Sequence, residues 1–160
     1  MALHVTQRAF RFSPEQLFDL VVDVESYPTF VPWWDAARII RREPNAYMTD
    51  QVVSLKVIRQ RFTSRTSFQR PDWVEVRAAD GLFRAFYLRW EFRRDQSGDC
   101  IVDLTVDFQF RSQRLSKIAA MISGEAIKLL MHAFEHEAHR RYHPAGLEPA
   151  PVLAPNSATP

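Results

Sequence analysis

Cysteine is almost missing from this chain: Cys100 is the only one in 160 residues. One thiol cannot close a disulfide within the chain or build a multi-cysteine metal site, and such usage fits a reducing compartment. Glycine is scarce too, with four in the whole sequence, too few for a loop that cradles phosphate. No G-x-S-x-G, P-loop, G-x-G-x-x-G or kinase signature occurs. No stretch approaches the roughly 18 consecutive apolar residues of a bilayer span. The opening "MALHVTQRAF" lacks the continuous apolar run of a secretory signal. Charge of one sign is not in excess either, with 21 Lys and Arg against 19 Asp and Glu. These absences predict a soluble, cytoplasmic, single-domain protein with no metal and no covalent cofactor, whose contact with any membrane is peripheral.

The sequence is rich in aromatic residues and in arginine. "SYPTFVPWWD", residues 26–35, holds Tyr27, Phe30, Trp33 and Trp34 among two prolines. Core packing and service as a lid over an apolar ligand stand side by side as readings of this stretch. Phe30 is expected to be buried, and Trp33 or Trp34 to be exposed, where an indole suits a membrane interface or a partner. Arginines gather in "RIIRRE", "RQRFTSR" and "RWEFRR". They fit a solvated sheet face whose stems cover apolar surface, or a footprint for phosphate or RNA; DNA is not an expected partner.

Hydrophobic periodicity orders the elements. "LHVTQRAFRF" reads as a strand over residues 3–12 with Val5, Phe10 and Phe12 apolar. "SPEQLFDLVVDV" then opens a helix with Ser13 as N-cap, Pro14 at the first position and Gln16 closing a capping box. A very short second helix starts at Ser26 and ends before Pro32. From about residue 36 the period is two. In "RQRFTSRTSFQ", Phe62, Ser64, Thr66 and Phe68 share a face; in "FRAFYLRWEFRR", Phe86, Leu88, Trp90 and Phe92 do; in "CIVDLTVDFQF", Val102, Leu104, Val106, Phe108 and Phe110 do. About six strands joined by short turns predict an antiparallel meander with one dry face. A long helix from about Ser112 follows, its stripe comprising Leu115, Ile118, Ala119, Ile122, Ala126, Leu129, Leu130 and Ala133. The alanines predict a face that stands off from the sheet. Residues 1–143 form the domain, and the Pro/Ala-rich tail 144–160 is expected to be disordered.

Catalytic constellations are weak. His132, His136, His139 and His143 recur at helical spacings in "MHAFEHEAHRRYH", but "HEAH" is one residue short of the zincin motif. An exposed polar stripe near a helix C-terminus is the better account, and a metal site is rejected. Asp103 and Asp107 fall on an outward strand face opposite arginines. Cys100 reads as a small core residue. No polar set converges as bond-making requires, so binding is the expected activity.

Three stretches carry a resemblance: "SPEQLFDLVVDVESYPTFVPW" at 13–33, "FTSR" at 62–65, and "DGLFRAFYLRWEF" at 80–92 with the "VDFQF" strand and the final helix. Together they resemble the coenzyme Q-binding family of START-like proteins, within the polyketide cyclase/dehydrase superfamily, over roughly residues 3–143. Two departures stand out: Leu82 where many relatives carry proline, and Trp34 where a small residue or cysteine is usual. The resemblance implies an α+β helix-grip fold, a curved antiparallel sheet of six to seven strands wrapped around a long C-terminal helix. It implies non-catalytic binding of ubiquinone or a similar polyprenyl lipid in support of respiration, with peripheral contact at the inner membrane. Bacterial relatives imply a rival, association with the large ribosomal subunit as a translation inhibitor. A polyketide cyclase or aromatase is the third reading. On this view the cavity candidates are Phe30, Trp33, Phe62, Ser64, Thr66, Phe86, Leu88, Trp90, Val102, Leu104, Val106, Ile122, Ala126, Leu129 and Ala133, with Ser64 and Thr66 as hydrogen-bond donors. An alternating apolar strand face is also what an ordinary core looks like.

Overall fold

The change from strand to helix after residue 10 is written into local chemistry. Ser13 accepts from the Gln16 backbone N–H at 3.1 Å and its own N–H donates to the Gln16 side chain at 3.0 Å, so two donors at the helix start are satisfied reciprocally. A computed structural model of the chain describes residues 2–55, 58–78, 80–81, 83–112 and 124–142. The first stretch of the expected long helix, Ile122 and Leu82 within it and before it, and the tail from 144 lie outside the described residues. Helix α1 runs Pro14–Val22 and a 3-10 segment follows at Val24–Thr29; these are the two short helices after the first strand.

Seven strands build one antiparallel sheet: β1 Ala2–Phe10, β2 Trp34–Glu43, β3 Ala46–Leu55, β4 Ile58–Gln69, β5 Trp73–Ala78, β6 Phe83–Arg94 and β7 Cys100–Phe110. Their spatial order is β1-β7-β6-β5-β4-β3-β2, so β2 to β7 form a meander and β1 returns beside β7. Register aligns the apolar rows: Leu88 faces Val106, Trp90 faces Leu104 and Phe92 faces Val102 across β6 and β7. Helix α2, Gly124–Arg141, lies against the concave face. This is a helix-grip α+β fold.

Two local devices shape the rim where β4 outruns β5. The Asp80 carboxylate accepts from the Thr63 backbone N–H at 2.9 and 3.0 Å, standing in for a missing strand partner. Gly81 follows with φ +61, and a Cβ there would sit 2.4 Å from the Arg61 carbonyl oxygen, so only glycine fits.

The structure turns an apolar residue of β1 to solvent and corrects one facing on the last helix. Val5 is 66% exposed, because the inward parity of β1 belongs to His4, which stacks on Phe108, and to Arg8, whose guanidinium reaches Glu135 of α2 at 2.6 Å. Leu129 is 57% exposed. Helix α2 buries Ile127, Leu130, Met131, Phe134 and Ala138, a stripe turned from the expected one, and Leu129 falls on its far side.

Candidate ligand cavity

The core does not close between the sheet and the first half of α2. An outer chamber of about 110 Å³ is walled by Trp33, Trp34, Val53, Phe62, Phe83, Phe86, Leu88, Val106, Phe108 and Phe110, with Ala126, Ile127 and Leu130 from α2 above. Small Ala126 leaves the space that a larger side chain at that turn would fill. Every wall residue is aliphatic or aromatic. An inner chamber of about 40 Å³ lies deeper, lined among others by Tyr27, Tyr47, Gln51, Thr66, Val76, Trp90 and Phe134. Trp34, Phe62, Phe86, Leu88 and Leu130 line both, so the two are separated only by side chains they share. One water takes roughly 10–15 Å³ on the same footing, which makes the inner chamber a space of a few waters.

The polar side of the inner chamber is uncharged: Gln51 and Thr66 line it, and Thr49 and Ser64 lie buried behind them. Gln51 Nε2 donates to Thr49 Oγ1 at 2.8 Å and to Ser64 Oγ at 2.9 Å, and those hydroxyls lie 2.7 Å apart. Trp34 Nε1 donates to Gln51 Oε1 at 2.8 Å. Two tyrosines serve the end of α1, whose last carbonyls lack helical partners: Tyr47 donates to the Val22 carbonyl at 2.9 Å and Tyr27 to that of Val21. Burial pushes both phenols well above their ordinary range, so they remain neutral donors at ordinary pH.

The candidates named from sequence divide by place. Phe62, Phe86 and Leu88 line both chambers; Trp33, Val106 and Ala126 line the outer one; Thr66 and Trp90 line the inner one. Ser64 is locked in the hydrogen-bond network behind it. Val102 and Leu104 are buried core residues outside both linings, because their rows on β7 are already filled by Phe92 and Trp90. Ala133 packs on the core edge. Leu129 is withdrawn as a lining residue by its exposure, and Ile122 lies outside the described residues. The candidate set leaves out Thr49, Gln51, Val53, Phe83 and Ile127, and also Trp34, Phe108, Phe110 and Leu130, although the sequence pattern places the last three on apolar faces. A signal was available for two of them: in "YMTDQVV", Thr49 and Gln51 occupy the inward parity between Tyr47 and Val53.

The aromatic stretch splits its work. Tyr27 and Phe30 each meet the Phe134 ring edge-on at 5.1 Å, anchoring the 3-10 segment under α2. Phe30 is half-buried rather than buried; it sits at the edge of the core, where the Arg141 guanidinium lies 5.9 Å from its ring centroid. Trp33 and Trp34 are half-buried cavity wall, not exposed, because the turn into β2 folds both indoles beneath the helix.

Elsewhere many titratable groups are paired. Glu137, buried on α2, accepts from Arg140 at 2.9 and 2.6 Å and from Arg141 at 2.7 Å. These bonds hold its carboxyl down at about 2. Arg141 continues to Asp23 and to the Ser26 hydroxyl, at 3.0 and 2.8 Å, tying α2 to the 3-10 segment. On the convex face Arg59 pairs with Asp35, Arg61 with Asp50, Arg65 with Glu43 and Arg93 with Asp103. His132 and His136 are exposed, and His139 meets Phe12 edge-on at 4.9 Å. No metal-binding group of three His, Cys, Asp or Glu occurs among the described residues. No helix among them is long and apolar enough to cross a membrane. Burial raises the Cys100 thiol to about 11.

Comparison with known proteins bears on what such a cavity holds. Residues 11–135 match the family described as polyketide cyclase/dehydrase and lipid transport. The chain is 31% identical over 147 residues to the mitochondrial coenzyme Q-binding protein COQ10 homolog B of Xenopus laevis, covering 89% of this chain and 59% of that protein. It therefore spans less than two thirds of that relative. It is 30% identical over 131 residues to the ribosome association toxin RatA of Rickettsia prowazekii, covering 79% and 89% of the two chains. A START superfamily protein from Mycobacterium smegmatis superposes with a TM-score of 0.74 at 16% identity, covering 89% of this chain and 100% of that one; the likeness is one of fold.

Proposed function

Because the chain belongs to the polyketide cyclase/dehydrase and lipid transport family, we propose that it binds coenzyme Q or a similar polyprenyl quinone without catalysing a reaction on it, as a carrier or chaperone for respiratory electron transport. The observation that carries this reading is a pair of adjacent chambers, sharing part of their wall and lined by no charged side chain. A polyprenyl tail gains about 0.8 kcal/mol for each buried CH₂-sized group, and a quinone head asks only for hydrogen-bond donors. The unliganded volume is small beside such a tail, so uptake widens the outer chamber at Ala126 and Ile127. The working place is the cytoplasm, with peripheral contact at the membrane that stores the lipid.

Organic extraction of the purified native protein with mass spectrometry and the quinone's redox-sensitive ultraviolet spectrum tests this. Stoichiometric quinone is expected, and Ala126→Trp, which fills the outer chamber from its rim, abolishes it while melting stays cooperative. An empty extract, with no uptake from detergent, overturns the reading.

A second reading has its own observation. Arg38, Arg41 and Arg42 are exposed on edge strand β2, where Arg41 reaches Glu43 only at 4.0 Å, unlike the tightly paired arginines beside them. With a ribosome-associating relative at 30% identity, this edge is the candidate footprint for the large subunit. Salt-sensitive co-sedimentation with ribosomes, lost in Arg38→Glu with Arg42→Glu, is its signature.

A further inference from the structure

Resting on the reading of the cavity as a lipid site, we propose that the inner chamber is a head-group subsite for a neutral ligand presenting a carbonyl oxygen, read by the spare hydrogen of the buried Gln51, Thr49 and Ser64 network, of which Gln51 lines the chamber. A hydrogen count on the buried network leads there. The Trp34 indole can only donate, so its bond to Gln51 fixes the amide with oxygen toward the indole and nitrogen toward the hydroxyls. The opposite amide orientation would set N–H against N–H. Both amide hydrogens are then spent, one on each hydroxyl. The two hydroxyls bring two hydrogens, and their mutual bond at 2.7 Å uses one.

One hydroxyl hydrogen is left with no acceptor among the described residues, on side chains 0% and 1% exposed. One lone pair is also left, on the hydroxyl that donates. A buried donor without an acceptor costs more than a spare lone pair, so the network favours an incoming acceptor. Thr49 and Ser64 sit one register step from Gln51 and Thr66, which line the inner chamber.

Size and charge narrow the ligand. The inner chamber, at about 40 Å³, suits an oxygen-bearing end and not a chain, whereas the outer one is wholly apolar and lies just beyond the shared side chains. The ligand enters oxygen first, its chain trailing beneath Ala126 and Ile127. No cationic side chain lines either chamber, so a carboxylate or phosphate would be desolvated without a partner. The class is a neutral carbonyl lipid, with quinone and ester as its two sources.

Three probes of equal chain length separate these elements: a decyl benzoquinone, a fatty acid methyl ester and an alkylbenzene, followed through quenching of the wall tryptophans. The wild-type protein is expected to bind a carbonyl probe roughly three- to tenfold tighter than the alkylbenzene. A preference for the quinone alone identifies that source, and a preference shared by the ester identifies the wider class. Ser64→Ala alone leaves the Thr49 hydrogen free and keeps the preference. Gln51→Glu, whose carboxylate accepts from Trp34 and from both hydroxyls and leaves no spare hydrogen, loses it while alkylbenzene affinity holds. Should that variant misfold, the infrared carbonyl stretch of quinone bound to wild type decides, with a shift to lower frequency expected relative to hydrocarbon solvent. Equal binding of all three probes with an unshifted stretch overturns the subsite and leaves the lipid reading standing. Failure of every probe to bind overturns the lipid reading itself.

Discussion

The two halves of α2 belong to one helix and face one sheet, yet they are held quite differently. The C-terminal half is clamped. Phe134 is 2% exposed and lies against the rings of Tyr27, Phe30 and Trp90 at 5.1, 5.1 and 4.9 Å. Ala138 is fully buried, and Glu137 binds two arginines, one of which reaches Asp23 and Ser26. The N-terminal half spans a space: Ala126 stands at the rim, Ile127 and Leu130 reach the void from above, and Leu129 turns to solvent. The chamber therefore exists because the far end of the helix is propped by aromatic volume and an ion cluster, while the near end offers too little volume to come down.

The widest break in that contrast comes from truncating each half in turn. Phe134→Ala is expected to destabilise the fold by about 3–5 kcal/mol, through lost burial and an unfilled site among rings that cannot collapse. Ile127→Ala, beside a void that already exists, is expected to cost about 2 kcal/mol or less. Urea unfolding of both variants measures the difference; equal costs would mean that α2 is packed uniformly.

The ion cluster sharpens the same contrast through pH. Glu137 titrates at about 2 in the folded chain against an ordinary 4.5, so the folded state favours the charged form. Its contribution is fully present above the ordinary value and is lost as pH falls from about 4.5 toward 2. Asp35, Glu43 and Asp50 are lowered as well, by Ser54 then Arg59, by Arg65 and by Arg61, and they lose stability in the same direction. The informative quantity is thus the difference between wild type and Glu137→Gln. Melting temperatures across that window should fall less steeply in the variant, and parallel curves would remove Glu137 from the clamp.

The smallest effect belongs to the convex face. Arg65→Ala removes an exposed pair with Glu43 at 2.7 Å, which water screens, and is expected to leave stability almost unchanged. Its cost should shrink further in high salt. A larger loss would place part of the support of the sheet outside the cavity.

Much of this architecture is legible from sequence, in a way that follows physical periodicity. The Ser13 to Gln16 capping box and the alternation of β4, β6 and β7 are local signals, and the chain obeys them. The misreadings share one cause. Leu129 and Ile127 are both apolar positions on a helix wheel, and the wheel does not say which arc meets the sheet. Trp33 and Trp34 looked exposed because nothing nearby in sequence covers them; α2 does. Thr49 and Gln51 broke an apolar pattern, and only the register placing Ser64 across from Thr49 turns them into a network.

Sequence by itself determined the element order, the inward face of each central strand and the neutral, apolar character of what lies between them, because backbone geometry and burial act on every residue in its own segment. Tertiary structure alone decided that a cavity remains, where it divides and which polar side chains meet beside it. A void is a difference between volumes supplied by β2, β4, β6, β7 and α2, and an unpaired donor is a remainder left once every partner has been placed.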